Sequence, residues 1–342
     1  MDLNHKKILI TCGGGLGDML CFTPALREMK AQYPDARIVF MTKYGNHEVL
    51  EGLPYLEKII YIRRGKFLGR YRVLPDFVGT DAVVFTDWQP QLLLFSRLLG
   101  IPVRAGVGRE GHRLERCLTR RLETNVMKSK EYAPRTNARL FSEALDICLD
   151  AGDVSRLDVA QPSLEVCAQT TTMLAEVGLR ERDPYIMLSP FTGFEQRNWS
   201  LEQAKQFVTD AAKEFGMPVL VTAPATQRAV AREISGYSLA GRTGTMHLVE
   251  LVKRATLLVS PDSGPMHVAG AVGTPCVALF SKDLPSRWAP RRACVPIYLE
   301  KVCSPCDDDT ARRCSHVSCM REISSGMVLR ACRQLLGQTA GK

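Results

Sequence analysis

Long apolar runs are absent from this 342-residue sequence. No stretch approaches the roughly 20 apolar residues that a membrane-spanning helix needs. The four-residue apolar run that begins at Ile8 is also too short for the hydrophobic core of a signal peptide. We therefore expect the chain to stay in the cytoplasm.

Low-complexity segments are absent too. Hydrophobic residues make up 45% of the chain and charged residues 24%, as in ordinary soluble globular proteins. Because 342 residues exceed what one hydrophobic core usually supports, the length predicts two domains of roughly 150 residues each.

Apolar runs alternate with helical patterns, and the alternation occurs twice, which predicts an α/β fold made of two Rossmann-like domains that face a central cleft. The runs lack polar alternation, as expected of parallel strands covered on both faces. A helix is predicted over Leu201–Phe215, with Ser200 and Gln203 as its capping box. A polar, turn-rich stretch over 150–184 predicts the linker. The predicted strands are Lys7–Thr11, Arg37–Met41, Lys58–Ile62, Ala82–Thr86, Val103–Gly106, Tyr185–Ser189, Val219–Thr222, Leu257–Ser260 and Cys276–Phe280.

Cysteine, by contrast, is plentiful, with twelve residues. A reducing cytosol argues against a disulfide framework. Four of the cysteines lie close together in the sequence, and four thiolates can hold zinc or iron tetrahedrally. The segment therefore predicts a structural zinc or iron site, with free thiols packed in a loop as the alternative. These four are Cys303, Cys306, Cys314 and Cys319.

The net charge of +9 is concentrated in one stretch. Residues 60–139 contain 16 Lys/Arg and 7 Asp/Glu, so this stretch accounts for the whole excess. Such a basic field attracts phosphate-rich partners, whether an anionic lipid surface, a lipid-linked sugar or nucleic acid. An ordinary solvated face is the alternative. The basic clusters contain Arg63, Arg64, Lys66, Arg70 and Arg72, then Arg104, Arg109, Arg113, Arg116, Arg120 and Arg121.

A glycine-rich loop, 12–18, follows the first predicted strand and precedes a helix. It lacks the dinucleotide fingerprint, because Asp18 occupies the position of the third glycine, where a carboxylate would repel a pyrophosphate. It also lacks the Lys-Ser/Thr pair of a P-loop. Asp18 is therefore either a helix cap or a general base at the carboxyl end of a strand.

The segment Asp262–His267 follows a buried strand in the second half. Asp262 and Ser263 are good cap residues, Gly264 permits close backbone approach, and proline suits a first helical turn. Exposed amides and the positive end of the helix dipole then predict an anion site suited to a diphosphate, to which His267 can donate. A well-capped helix with a packed histidine is the plainer alternative.

Another segment, 189–199, leaves a predicted strand and leads into the helix at Leu201. Its Arg197 is a candidate phosphate clamp at the cleft edge. The alternative is an exposed cation beside Trp199.

Together these motifs resemble the heptosyltransferases of glycosyltransferase family 9. The resemblance is carried by Gly17–Leu26, by Leu239–Leu251, and by Asp262–His267 followed by Gly273-Thr274-Pro275. The late Cys-x2-Cys with Cys319-Met320 is also similar to the family. The family resemblance as a whole implies a GT-B fold. In that fold, residues 1–165 bind the acceptor, residues 184–322 bind the nucleotide sugar, and a last helix, 323–342, packs back on the first domain.

The resemblance implies inverting, metal-independent transfer of a heptose from a nucleotide sugar, with ADP-L-glycero-D-manno-heptose as the expected donor. The acceptor is expected to be the lipopolysaccharide inner core or a related anionic glycan at the inner face of the inner membrane. Asp18 becomes the general base, no cofactor is needed for catalysis, and no nucleic acid is expected. Gln227 stands where relatives usually carry a ribose-binding Glu. The implied donor-binding residues are Thr192, Arg197, Gln227, Asp262, Ser263, Gly264, Met266 and His267, and the acceptor-binding residues are Gly15, Gly17, Arg63 and Arg64.

Two other functions remain open from the residues. A non-enzymatic nucleic-acid-binding protein would use the basic stretch 60–139 but leaves the segment Asp262–His267 without a purpose. A nucleotide-sugar epimerase of similar fold would convert its donor with no acceptor present.

Overall fold

The computed structural model describes residues 1–42, 45–62, 73–123, 129–149 and 152–339. The chain divides into two compact units, Met1–Ala160 and Gln161–Lys342. The first boundary lies near the predicted 165, but the stretch expected to be a linker contains a helix, Leu164–Glu176, that belongs to the second unit.

The first unit contains a parallel sheet, six-stranded over its described residues, with the order β3-β2-β1-β4-β5-β6. This strand order reverses between β1 and β4, which is where open α/β sheets bind ligands, at the carboxyl ends of the strands. The strands are β1 (Lys7–Cys12), β2 (Arg37–Thr42), β3 (Lys58–Tyr61), β4 (Ala82–Phe85), β5 (Val103–Gly106) and β6 (Arg120–Arg121), and the helices are α1 (Leu16–Gln32), α2 (Pro90–Leu98) and α3 (Ala133–Leu145).

Burial on both faces explains the uninterrupted apolar strands of this unit. Leu9, Val39 and Val83 from three neighbouring strands belong to one apolar cluster and are at most 1% exposed. Helices α1 and α3 pack together on the sheet, and Phe22 stacks on Phe141 with ring centroids 5.7 Å apart. The sheet and its helices thus hold the loops after β1 and β4 on a rigid support.

The second unit contains a parallel sheet, five-stranded over the described residues, with the order β11-β10-β9-β7-β8. Here the order reverses between β7 and β9. The strands are β7 (Ile186–Leu188), β8 (Val219–Val221), β9 (Leu257–Pro261), β10 (Cys276–Phe280) and β11 (Cys294–Tyr298), and the helices are α4 (Leu164–Glu176), α5 (Leu201–Phe215), α6 (Arg228–Ile234), α7 (Thr245–Arg254), α8 (Gly264–Val272), α9 (Pro285–Trp288), α10 (Asp308–Arg313), α11 (Ser318–Arg321) and α12 (Ser325–Thr339).

The predicted helix α5 has the expected bounds, but its capping box is wrong. The Ser200 side chain makes no capping hydrogen bond. The Gln203 Oε1 instead accepts a hydrogen bond of 2.8 Å from the Ser325 N–H at the start of α12. Gln203 is close in sequence to the start of α5, which is why the sequence predicts a cap there. In the folded protein, tertiary packing places its side chain at the start of α12 instead.

The final helix α12 packs within the second unit, against α5 and the sheet strands β9 to β11. Its Val328, Cys332 and Leu335 lie in the same apolar cluster as Phe207 of α5. The helix thereby covers one face of the second sheet. Its predicted return to the first domain stays a prediction.

Candidate functional site

The glycine-rich loop lies at the carboxyl end of β1, next to the point between β1 and β4 where the strand order reverses. The Asp18 Oδ2 accepts a hydrogen bond of 2.8 Å from the Gly15 N–H, so the carboxylate caps the first turn of α1. A negative charge is favourable at this end of a helix. Asp18 is half-buried, and Gly17 lies on the same first turn. The cap and the candidate base are therefore one side chain.

Two carboxylates press against this loop, which explains its glycines. A Cβ added to Gly14 would lie 2.5 Å from the Asp18 Cγ. A Cβ added to Gly13 would lie 2.3 Å from the Oδ2 of Asp87, a residue that sequence reasoning missed. Asp87 follows β4, which pairs directly with β1. An acidic residue just after a neighbouring buried strand was the signal that could have identified it.

A basic cavity of about 600 Å³ lies beside the loop after β5. The Trp88 and His112 rings meet edge to face at 5.0 Å, which connects the cavity wall to the residue after Asp87. The Arg121 Nε pairs with the Glu115 Oε1 at 3.1 Å, so one of the cavity's arginines is already neutralised. The other predicted acceptor residues, Arg63 and Arg64, lie outside the described residues. The lining residues are Gly111, His112, Arg113, Glu115, Arg116, Leu118, Thr119 and Arg121.

In the second unit, β9 ends at Pro261 and α8 begins at Gly264. Asp262 is 5% exposed. The Ser263 hydroxyl does not cap α8, since it donates to the Pro261 carbonyl at 3.1 Å. Ser263 therefore supplies no side-chain cap to the first-turn amides of α8. Amides at the positive end of a helix dipole suit an anion. Met266 is fully buried, so its side chain is part of the core.

Arg197 lies at the carboxyl end of the adjacent strand β7, in the short 3₁₀ helix Glu195–Arg197. Its Nη1 is 3.5 Å from the Asp262 Oδ2 and 3.8 Å from the Asp283 Oδ2. Its Nε is buried without a hydrogen-bond partner among the described residues. Because a guanidinium carries five N–H donors, Arg197 keeps donors for a further anion.

His267 lies on the first turns of α8 and is 4% exposed. Its ring meets Trp288 edge to face at 6.0 Å. Burial, together with the nearby Arg197 charge, lowers the pKa of His267 to about 4. The imidazole is therefore neutral near pH 7 and is a hydrogen-bond donor through one ring nitrogen.

Thr192 and Gln227 have different local surroundings. The Thr192 Oγ1 donates to the Phe194 carbonyl at 2.6 Å, and its N–H donates to the Asn198 Oδ1 at 2.7 Å, so Thr192 shapes the loop that carries Arg197. Gln227 ends the 3₁₀ helix Ala225–Gln227 after β8 and is half-buried.

The combination of two parallel-sheet units, each with candidate residues at the carboxyl ends of its strands, corresponds to a known family. The family model of glycosyltransferase family 9 (heptosyltransferase) matches residues 93–315, more than half of the chain. The chain belongs to glycosyltransferase family 9. The prediction of a glycosyltransferase is confirmed, and the membership favours this function over the two alternatives.

This family 9 glycosyltransferase has named relatives. The lipopolysaccharide core heptosyltransferase OpsX of Haemophilus influenzae is 27% identical over 299 residues, covering 83% of this chain and 82% of OpsX. Among solved structures, a family 9 glycosyltransferase from Veillonella parvula has a TM-score of 0.83 at 18% identity, over 99% of both chains. Escherichia coli ADP-heptose lipopolysaccharide heptosyltransferase II has a TM-score of 0.72 at 21% identity, over 98% of this chain and 99% of its own. The predicted GT-B fold is confirmed.

The cysteine segment of this glycosyltransferase, defined here as Cys303–Cys319, lies beside the loop after β10. Burial raises the pKa of the Cys306 thiol, against the effect of the Lys282 charge. Cys303 and Cys314 raise it further, so these thiols lie within electrostatic range of one another. Within the ranges that the structure describes, no group of three or more His, Cys, Asp or Glu side chains is arranged to hold a metal ion.

The helices of this glycosyltransferase are short or polar. Over the described part of the chain, none has both the length and the apolar character needed to cross a membrane.

Proposed function

We propose that this family 9 enzyme is an inverting heptosyltransferase that acts without a metal ion at the reacting centre. Its donor is ADP-L-glycero-D-manno-heptose, and its acceptor is the lipopolysaccharide inner core or a related anionic glycan. The names of its relatives support the donor and acceptor classes. The observation that carries the proposal is Arg197, a half-buried guanidinium with a spare donor, whose Nη1 lies near Asp262 just before the start of α8.

The donor diphosphate binds where α8 begins. Arg197 and the amides around Ser263 and Gly264 stabilise the charge that develops on the leaving nucleoside diphosphate. His267 adds a neutral hydrogen bond. These groups supply the positive potential that a divalent cation supplies in other transferases. Thr192 shapes the Arg197 loop, and Gln227 hydrogen-bonds a ribose hydroxyl.

Asp18 is the general base in this proposal. It removes the proton from an acceptor hydroxyl while that oxygen attacks the anomeric carbon. The new glycosidic bond forms as the bond to the diphosphate breaks, and the proton moves to the Asp18 carboxylate. A single displacement of this kind inverts the anomeric configuration. Because Gly15 and Gly17 have no side chains, they leave room for the acceptor to reach Asp18.

The acceptor is held by the basic stretch 60–139. Arg63 and Arg64 remain predicted acceptor residues, and the cavity with Arg113 and Arg116 supports binding of an anionic glycan to the first unit. The same charge favours peripheral association with an anionic inner-membrane surface from the cytoplasmic side.

A structural zinc or iron ion at the four cysteines stays part of the proposal. Cys303, Cys306, Cys314 and Cys319 would be its ligands, because thiolates prefer such metals. Metal analysis of protein purified from cells under reducing conditions measures this directly. A stoichiometry near zero in freshly purified, folded protein contradicts it.

The proposed reaction is tested by incubating the enzyme with ADP-heptose and heptose-free lipopolysaccharide in excess EDTA. We expect heptose to be attached, ADP to be released only when acceptor is present, and the product linkage to have the opposite anomeric configuration by NMR. UDP-glucose serves as the donor control. Retained configuration, or activity that returns only with added Mg²⁺, contradicts the mechanism.

A further inference from the structure

Two charged side chains, Lys282 and Asp283, follow β10 at the same sheet edge as Asp262. Strand β10 pairs with β9 with Leu279 opposite Pro261, and the Asp262 N–H donates to the Leu279 carbonyl at 2.9 Å. Both strands therefore end at one place. This is why Asp262 and Asp283 reach the same guanidinium.

That guanidinium, Arg197, has one nitrogen, Nη1, within 4 Å of both carboxylates. The distances of 3.5 Å to Asp262 and 3.8 Å to Asp283 exceed the 2.7–2.9 Å typical of a strong charge-assisted hydrogen bond. All three side chains are at most 25% exposed, so the attraction is poorly screened. Both carboxylates contact the same atom, Nη1, so they orient Arg197 through one end of its guanidinium and leave other N–H donors for phosphate oxygens.

Asp283 is itself held in place by Lys282. The Lys282 Nζ is 3.1 Å from the Asp283 Oδ2, the same oxygen that faces Arg197, and 2.7 Å from the Asp308 Oδ1. Lys282 is 14% exposed. Because both of its ion-pair contacts are close, Lys282 connects Asp283 to Asp308, the first residue of α10.

Helix α10 belongs to the cysteine segment, which attaches to the Arg197 region by further contacts. The Cys306 N–H donates to the Lys282 carbonyl at 3.1 Å. On the other side, the Gln196 Nε2 donates to the Arg312 carbonyl at 3.2 Å. Arg312 and Arg197 both contact the Phe194 ring, at 5.0 Å and 5.6 Å from its centroid. The segment therefore contacts both loops that surround Arg197.

We propose that Asp283 is a positioning residue for Arg197, and that the Lys282–Asp308 ion pair makes the cysteine segment a support of the donor-phosphate site. The inference rests on the proposed function, since it takes the donor diphosphate to be the anion that Arg197 binds. Loss of the Asp283 or the Asp308 carboxylate lets Arg197 and its loop shift away from the position that the diphosphate needs.

Binding of ADP, measured by isothermal titration calorimetry, tests the inference. Asp283→Asn is expected to weaken ADP binding about tenfold, the size of a typical coupling between contacting charged residues. Asp308→Asn is expected to weaken it about two- to fivefold, because that carboxylate is exposed. Asp309→Asn, the same change on the adjacent exposed carboxylate, is the matched control and should bind ADP like the wild type. In turnover assays the donor KM rises and the acceptor KM stays constant.

A double-mutant cycle separates positioning from a general loss of structure. In an Arg197→Met background, Asp283→Asn and Asp308→Asn should have no further effect on ADP binding. When Arg197 is kept, Asp308→Glu should bind ADP more tightly than Asp308→Asn, because glutamate retains the carboxylate. Unfolding midpoints measured alongside show that each variant is folded. Asp308 is 61% exposed, so its variants test the inference even if Asp283→Asn unfolds the protein.

The outcomes distinguish the two proposals. If the wild type does not bind ADP, or if Arg197→Met binds it equally well, the proposed donor site itself fails. If Arg197→Met weakens binding but Asp283→Asn and Asp308→Asn match Asp309→Asn, only the positioning role is overturned. Tighter binding by Asp283→Asn also overturns it, because Asp283 would then merely compete with the phosphate.

Discussion

The Asp18 carboxylate accepts a hydrogen bond of 2.8 Å from the Gly15 amide, so the proposed base is also the cap of helix α1. The two interpretations that the sequence left open, helix cap or base, are therefore compatible. The hydrogen bond points the carboxylate along the first turn, at the carboxyl end of β1 where this sheet type binds ligands. A side chain fixed in this way needs little reorganisation to take up a proton.

Asp18→Asn should separate the two roles. The asparagine Oδ1 can accept the same hydrogen bond from the Gly15 N–H, so the unfolding midpoint should stay close to that of the wild type. An amide cannot act as a base at neutral pH, so kcat should fall by about 10²- to 10⁴-fold. ADP binding should be unchanged. Turnover close to that of the wild type would remove Asp18 from the base role.

Gly14→Ala should strongly reduce activity although the Asp18 side chain itself is unchanged. The new Cβ would lie 2.5 Å from the Asp18 Cγ, which forces the carboxylate to move. A displacement of this kind costs about 10²-fold in rate when it misplaces a reacting group. Gly236→Ala is the control, because its Cβ meets no atom within 4 Å. Equal kcat values for the two variants would mean that the close approach has no catalytic importance.

His267 should make stability depend on pH in the acidic range. Its folded-state pKa of about 4 lies below the 6.5 of an exposed histidine, so the unfolded chain takes up the proton first as the pH falls. Its contribution is therefore fully present above about pH 6.5 and is lost towards pH 4, by about 3 kcal/mol in total.

The variant His267→Gln should flatten this part of the profile. Unfolding free energies from denaturant titrations at pH 7 and pH 5 measure the difference. His5→Asn, at an exposed histidine, is the control and should keep the wild-type slope. If His267→Gln loses as much stability between the two pH values as the wild type, the histidine is not held neutral.

Charge reversal at the basic cavity should weaken acceptor binding only. The double variant Arg113→Glu with Arg116→Glu is expected to raise the acceptor KM about tenfold or more in low salt, and less in 0.5 M salt, where charges are screened beyond about 4 Å. The donor KM should not change. Arg180→Glu, an exposed arginine of the second unit, is the matched control. A salt-independent effect, or an equal effect of Arg180→Glu, would contradict an anionic acceptor in this cavity.

Most strands could be predicted because they are buried on both faces, so their sequences are uninterrupted apolar runs. Val103–Gly106 and Cys276–Phe280 have the predicted bounds, and the other predicted strands differ by one or two residues at their ends. Arg120–Arg121 and Cys294–Tyr298 were missed. Both are edge strands of their sheets. Arg120–Arg121 is only two charged residues long, and Cys294–Tyr298 contains Pro296, which argues against a strand unless it lies at a sheet edge.

The sequence by itself determined the fold class, the family and the loops that carry Asp18, Arg197 and His267, because strand ends, glycines and helix caps are local signals. Tertiary structure alone decided which side chains meet. Asp87 and Asp283 come close to Gly13 and Arg197 only because neighbouring parallel strands bring distant loops to one edge. Likewise, only burial beside Arg197 lowers the pKa of His267 to about 4, since a pKa depends on surroundings that are far away in sequence.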